Sequence, residues 1–184
     1  MTIAVDKTYT PEDLLNDSSL AGYELVDGHL RERSVSEASG LVGARILRLL
    51  GNEAERTGEA FVYGSEPGYQ CFAESPNTVR FPDVSVVRKS RRAQVGADPA
   101  YMPIPADLAV EVLSPNDRVR DIEDKLKDYL SAGFALVWIV NPYGRYVQIY
   151  RPGAGVQIID EHGEITAEPA LSQFRCRVAE FFNI

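Results

Sequence analysis

Histidine and cysteine are scarce in this 184-residue chain, at two residues each. His29 and His162 are too few for a histidine-rich metal site and leave little from which to build a Ser-His-Asp triad. Cys71 and Cys176 share no zinc-binding or redox spacing, so the expectation is two reduced thiols in a cytoplasmic protein. Long apolar runs are missing as well. No stretch approaches the roughly 20 residues that cross a bilayer, which excludes a spanning helix and points to no membrane partner. Met1 to Tyr9 carries neither the basic start nor the apolar core of a signal peptide. A surplus of positive charge is also absent. With a formal charge of −8 and a pI near 4.8, the chain is not one that coats nucleic acid by bulk electrostatics. A local basic cleft stays open.

What is present is ordinary for a soluble globular protein: 45% hydrophobic and 25% charged residues. The length suits one domain over 1–184, and no repeat, low-complexity tract or linker divides it.

Local signals lay out the elements in order. Thr10-Pro11-Glu12-Asp13 reads as a helix start, with a threonine cap, proline at the first helical position and acids in the first turn. Tyr23 to Arg33 alternates around Asp27-Gly28, a strong hairpin signal. Ser36, or alternatively Ser39, caps a helix whose apolar residues from Leu41 to Leu50 share a broad face, and Gly58 stops it. Ala60–Tyr63 and Gly68–Phe72 read as strand material. Pro99, Pro103 and Pro105 make the segment up to Ala106 a loop or flap. Phe134 to Val140 reads as a buried strand and Arg145 to Arg151 as its more exposed partner. Short strands follow, and the apolar end Val178–Phe182 is expected to pack back. The sum is an α/β fold: a mixed sheet flanked by helices, with an N-terminal hairpin and extra C-terminal strands.

The chemistry concentrates between Phe81 and Tyr129. Asp83 opens one apolar strand and Glu111 lies within another, Asp107 to Leu113. Burying ionised carboxylates among valines and leucines costs several kcal/mol each unless something pairs with them. Neighbouring strands could bring both to one edge of the sheet, where Mg²⁺ or Mn²⁺ would take them as ligands, with the Val112 carbonyl as a further oxygen. Such a cation acidifies water and neutralises charge on a phosphoryl group. The plainer alternative has Asp83 capping a turn and Glu111 paired with Lys125 or an arginine. A helix from about Arg118 to Ala132 carries Asp121, Lys125 and Tyr129 at steps of four. They are either a shared functional face or a surface Asp121–Lys125 salt bridge. Arg88, Lys89, Arg91 and Arg92 are a solvated loop or a set of phosphate contacts near the site.

Five segments together resemble the Uma-two family, which has the PD-(D/E)XK restriction-endonuclease-like fold. They are Tyr23-Glu24-Leu25-Val26-Asp27-Gly28, Phe81-Pro82-Asp83-Val84, Leu108 to Pro115, the Asp121/Lys125/Tyr129 helix and Trp138-Ile139-Val140-Asn141-Pro142. The resemblance spans about Tyr23 to Tyr150 and implies a metal-dependent endonuclease acting on nucleic acid, in the first instance DNA. It implies Asp83 and Glu111 as metal ligands and Lys125 as the group that positions or activates the attacking water. The nuclease signature normally has a lysine two residues after the glutamate, and that position here is Leu113. Glu24 is either a third carboxylate for a second ion or the outer face of an edge hairpin, and Tyr129 and Asp121 are supporting candidates. Family members often carry a histidine early in the first core helix. Here that stretch offers only Glu37 or Ser39. The rival readings are a non-catalytic nucleic-acid-binding or regulatory module on the same scaffold and an assembly protein. A homodimer would suit the cutting of two strands.

Overall fold

The computed structural model describes residues 7–183. Most of the Met1–Tyr9 stretch, read above as lacking a leader, falls outside the described residues. Helix α1 is Pro11–Asn16, and Thr10 and Asp13 cap it reciprocally through side chain and backbone. The hairpin follows as β1, Tyr23–Val26, and β2, His29–Glu32. Its turn places Asp27 at φ 49° and Gly28 at φ 81°, the left-handed pair that a two-residue turn with the strands' own twist requires. Helix α2, Glu37–Thr57, starts at Ser36, with Ser39 completing the capping box, and ends at a left-handed Gly58.

Next come β3, Ala60–Tyr63; β4, Val84–Arg88; α3, Lys89–Arg92; and β5, Leu108–Val112. They are followed by α4, Val119–Ala132; β6, Val137–Asn141; β7, Tyr146–Tyr150; β8, Gln157–Asp160; β9, Glu164–Thr166; and β10, Arg175–Arg177. Six of the strands form one sheet in the order β3-β4-β5-β6-β7-β8. Only β5 and β6 pair parallel, because α4 crosses over between them; every other neighbouring pair is antiparallel. The hairpin and the β9–β10 ribbon stand apart as two-stranded sheets.

Alternation along the strands sorts the core into two layers. Leu108, Val110 and Val112 of β5 face α2 and the returning C-terminal segment, where Trp138, Phe174 and Phe181 meet. Ala109 and Glu111 face the other way, toward α4, Phe134 and Ile139. The C-terminal end packs back as expected, with Val178 and Phe181 fully buried in a short 3-10 turn.

Two local expectations change. Gly68–Phe72 is not a strand; Tyr69 alone makes bridges, to Arg80 and to Met102. A Cβ at Gly68 would lie 2.7 Å from Tyr101 and 2.8 Å from Phe81, so only glycine fits where the chain passes under these two aromatic rings. The basic segment after β4 is the short helix α3 rather than a loop.

Candidate active site

The antiparallel register of β4 and β5 pairs Val84 with Val110, so Asp83 and Glu111 stand at the same end of adjacent strands. Asp83 sits just before β4, and its Oδ2 accepts the Val112 N–H at 2.7 Å. Glu111 projects from β5 toward α4. There the Tyr129 hydroxyl donates to Oε1 at 2.7 Å and the Lys125 ammonium to Oε2 at 2.8 Å. Lys125 also lies 2.9 Å from Glu24 Oε1 on β1. The structure thus gathers five of the candidate residues: Asp83, Glu111, Lys125, Glu24 and Tyr129.

Asp121 lines the same cavity from the first turn of α4 but makes no pair with Lys125, which turns inward instead. The surface salt bridge between them does not form, because two buried carboxylates outcompete one exposed one for the ammonium. Glu24 is 4% exposed, which rules out the outer face of the hairpin. Ser39 is committed to the α2 cap and Glu37 is exposed, and neither lines this cavity.

The basic segment is placed elsewhere. Arg88 ends β4, the strand that Asp83 precedes, which separates them by roughly 17 Å. Arg88 and Arg91 both bind the buried Asp107, at 3.0 and 3.1 Å, and Arg92 donates to the carbonyls of Val95 and Gly96. Lys89 lies over the Phe61 ring.

The sequence reading missed Arg80 and Asp128. Leu25 and Val79 exchange backbone hydrogen bonds, and Arg80 does the same with Tyr69, so the segment before Asp83 is threaded between the hairpin and the Gly68–Phe72 segment. That brings the Arg80 guanidinium, only 4% exposed, to Glu24 at 3.0 Å and to Asp128 of α4 at 2.6 Å. The Phe81 N–H adds a third donor to Glu24 at 2.9 Å. The one available hint was a long charged side chain between the apolar Val79 and Phe81.

Glu24, Arg80, Asp83, Glu111 and Lys125 border an open cavity of about 580 Å³ between the hairpin and the start of α4. Arg31, Arg33 and Arg118 also line it, and Arg33 stacks over Phe81 with 5.1 Å to the ring centroid. Three carboxylates (Glu24, Glu111, Asp128) pair with two buried or half-buried cations, Arg80 and Lys125, while Asp83 accepts from the Val112 N–H. The imbalance shows in their acidities. Burial pushes Glu111 up to about 7; Lys125 opposes this, and the Asp83 and Glu24 charges reinforce it. Burial raises Asp83 too, against the pull of Lys125 and the Val112 N–H. For Glu24, burial is outweighed by Lys125 and Arg80, and its carboxyl stays below the usual range. Burial would lower Lys125, but Glu111, Glu24 and Asp83 raise it, so it is fully charged.

Glu111 pairs with Lys125, as the plainer alternative expected. Yet the upward shifts at Asp83 and Glu111 show that one ammonium does not offset both buried carboxylates, and a divalent cation would. Among the described residues no three His, Cys, Asp or Glu side chains cluster tightly enough to hold a metal alone. Two carboxylates with water and a substrate phosphate completing the shell are the usual Mg²⁺ arrangement, and the residues present fit it.

A mixed sheet with a parallel β5–β6 crossover, and an acidic pair at one strand end, defines a restriction-endonuclease-like fold. The family model for Uma2, described as "Putative restriction endonuclease", matches residues 11–179, and the chain belongs to that family. Its structure is similar to that of an Anabaena variabilis ATCC 29413 protein described as "a putative nuclease belonging to DUF820". The TM-score is 0.81 at 16% identity, over 94% of this chain and 97% of the other. At that identity the likeness speaks for the fold. No curated protein matches the chain.

Proposed function

We propose that the protein is a Mg²⁺- or Mn²⁺-dependent endonuclease that hydrolyses phosphodiester bonds in DNA. The observation that carries this reading is the convergence of Asp83, Glu111 and Lys125, from three separate elements, on one open cavity. Asp83 and Glu111 would hold the cation, which when bound supplies an acidified water and charge neutralisation at the phosphate. Tyr129 fixes the Glu111 carboxylate by donating to the oxygen that faces away from Lys125. Lys125, charged and donating, orients the attacking water and meets negative charge on the phosphoryl oxygens. Arg31, Arg33 and Arg118 on the cavity wall are placed to receive the flanking phosphates. Arg88, Lys89, Arg91 and Arg92, at the far end of β4, serve as a second contact only for a substrate long enough to leave the cleft. Membership of the family supports nuclease chemistry in general. No helix among the described residues is long and apolar enough to cross a membrane. A cytoplasmic setting and a two-site homodimer complete the reading.

The test is cleavage of supercoiled plasmid, linear duplex, single-stranded DNA and RNA in Mg²⁺ or Mn²⁺. The expected result is cutting of DNA by wild type that chelation and Asp83→Ala abolish. Failure to cut any of these substrates, with salt-sensitive DNA binding unchanged by Asp83→Ala, would instead favour the non-catalytic binding module.

A further inference from the structure

We infer that Glu24 is a positioning residue that keeps Lys125 in the cleft when a divalent cation takes its place on Glu111. The inference rests on the metal-site reading above and concerns a residue with no necessary contact to the cation. Glu24 already holds three N–H donors: Oε1 accepts from the Phe81 backbone at 2.9 Å and binds Lys125 at 2.9 Å, and Oε2 binds Arg80 at 3.0 Å. A carboxylate with three donors already on it is poorly placed to serve a second ion, the role considered for it on sequence alone.

Both oxygens of Glu111 also carry a donor already. Tyr129 holds Oε1, and Tyr129 itself is buried against Phe134, with ring centroids 4.6 Å apart. The oxygen within reach of an incoming cation is therefore Oε2, which Lys125 holds at 2.8 Å. Loading the site makes Lys125 surrender one of its two carboxylates to a doubly charged ion. A lysine stem is flexible, and repulsion from that ion would swing the ammonium out to solvent.

Glu24 prevents this because it cannot follow the lysine outward. Arg80 ties it to Asp128, which lies three residues beyond Lys125 on the same helix, at 2.6 Å. The contacts Lys125–Glu24, Glu24–Arg80 and Arg80–Asp128 close a ring that returns to α4. Lys125 then exchanges two partners for one without leaving the cavity, and stays beside the water it orients.

The experiment follows the Lys125 ammonium by NMR on protein labelled with ¹⁵N-lysine, one of four lysines and assigned by its disappearance in Lys125→Arg. Mg²⁺ is added while calorimetry records binding. Wild type should show a slowly exchanging Lys125 signal both without and with saturating Mg²⁺. Glu24→Gln should show it without Mg²⁺, when Glu111 still holds the ammonium, and lose it on saturation. DNA cleavage by Glu24→Gln should fall roughly 100-fold in kcat, the scale set by an ångström-sized misplacement, with Mg²⁺ binding retained. If Glu24→Gln does not fold, Asp128→Asn, at a partly exposed side chain, loosens Arg80 and should give the same pattern in weaker form. A signal that persists in Mg²⁺-saturated Glu24→Gln, or vanishes in Mg²⁺-saturated wild type, overturns the inference alone. No binding heat and no spectral change in wild type overturns it together with the metal-site reading.

Discussion

Lys125 lies 2.8 Å from Glu111 although the position two after that glutamate, where the nuclease signature carries its lysine, is Leu113. Residues two apart on a strand share a face. Here that face is covered by α4, and Leu113 packs into the same layer as Leu126 and Ile122. The helix supplies from above the ammonium that the strand no longer supplies from within.

Removing that ammonium should be costly. Lys125→Met leaves Glu111 and Glu24 facing each other in a buried site, and breaking a buried pair from one side costs about 3 kcal/mol or more. Urea unfolding should show this loss in metal-free protein and a partial recovery in Mg²⁺, while cleavage is lost at every Mg²⁺ concentration. Unchanged stability would mean that the carboxylates find other partners.

Glu111 should give metal-free stability a definite pH slope. Its folded-state pKa of about 7 lies above the unfolded value, so between the two the native state binds the extra proton. Stability from this group is fully present at low pH and is lost as pH rises through about 7. Glu111→Gln removes the term, so its stability relative to wild type should rise from about pH 5 to about pH 8. Glu24, with a lowered pKa, contributes in the opposite sense, with stability lost as the solution becomes more acidic. The comparison with Glu111→Gln separates the two.

Phe181 should carry much of the closure of the C-terminal segment. It is fully buried and lies 5.8 Å, centroid to centroid, from Trp138 on β6. Phe181→Ala should destabilise the protein by about 3–5 kcal/mol in denaturant unfolding, the range for a large aromatic removed from a packed core.

The two thiols should be inert in the native state. Burial pushes both Cys71 and Cys176 up to about 12, with Arg91 pulling the other way at Cys71. At neutral pH a thiol-directed reagent should label neither until the protein unfolds, because almost no thiolate is present. Rapid labelling of one thiol in native protein would show that its site opens locally.

Much of the fold was legible because its signals are local. The Asp27-Gly28 turn, the Ser36 cap, the glycine stops at Gly58 and Gly133 and the apolar run of β5 each sit within a few residues of the structure they determine. The carboxylates Asp83 and Glu111 were visible as acids out of place in apolar strands. What was not legible depends on partners distant in sequence. Arg80 finds Glu24 at a separation of 56 residues and Asp128 at 48. The basic run after β4 suggested a phosphate surface, yet Asp107, read only as the start of a strand, pairs with two of its arginines. Gly68–Phe72 has strand-like composition, but its pairing is confined to the Tyr69 bridges with Arg80 and Met102, partners distant in sequence.

The most direct test of the site is calorimetric titration of Mn²⁺ into wild type and into the Asp83→Ala/Glu111→Ala double variant, with folding of both checked by circular dichroism. The account predicts a saturable binding heat in wild type that is gone from a folded double variant. Equal heats in both, or none in either, would make the two carboxylates structural partners of Lys125 and the Val112 N–H, and would contradict the assignment of a metal-dependent active site.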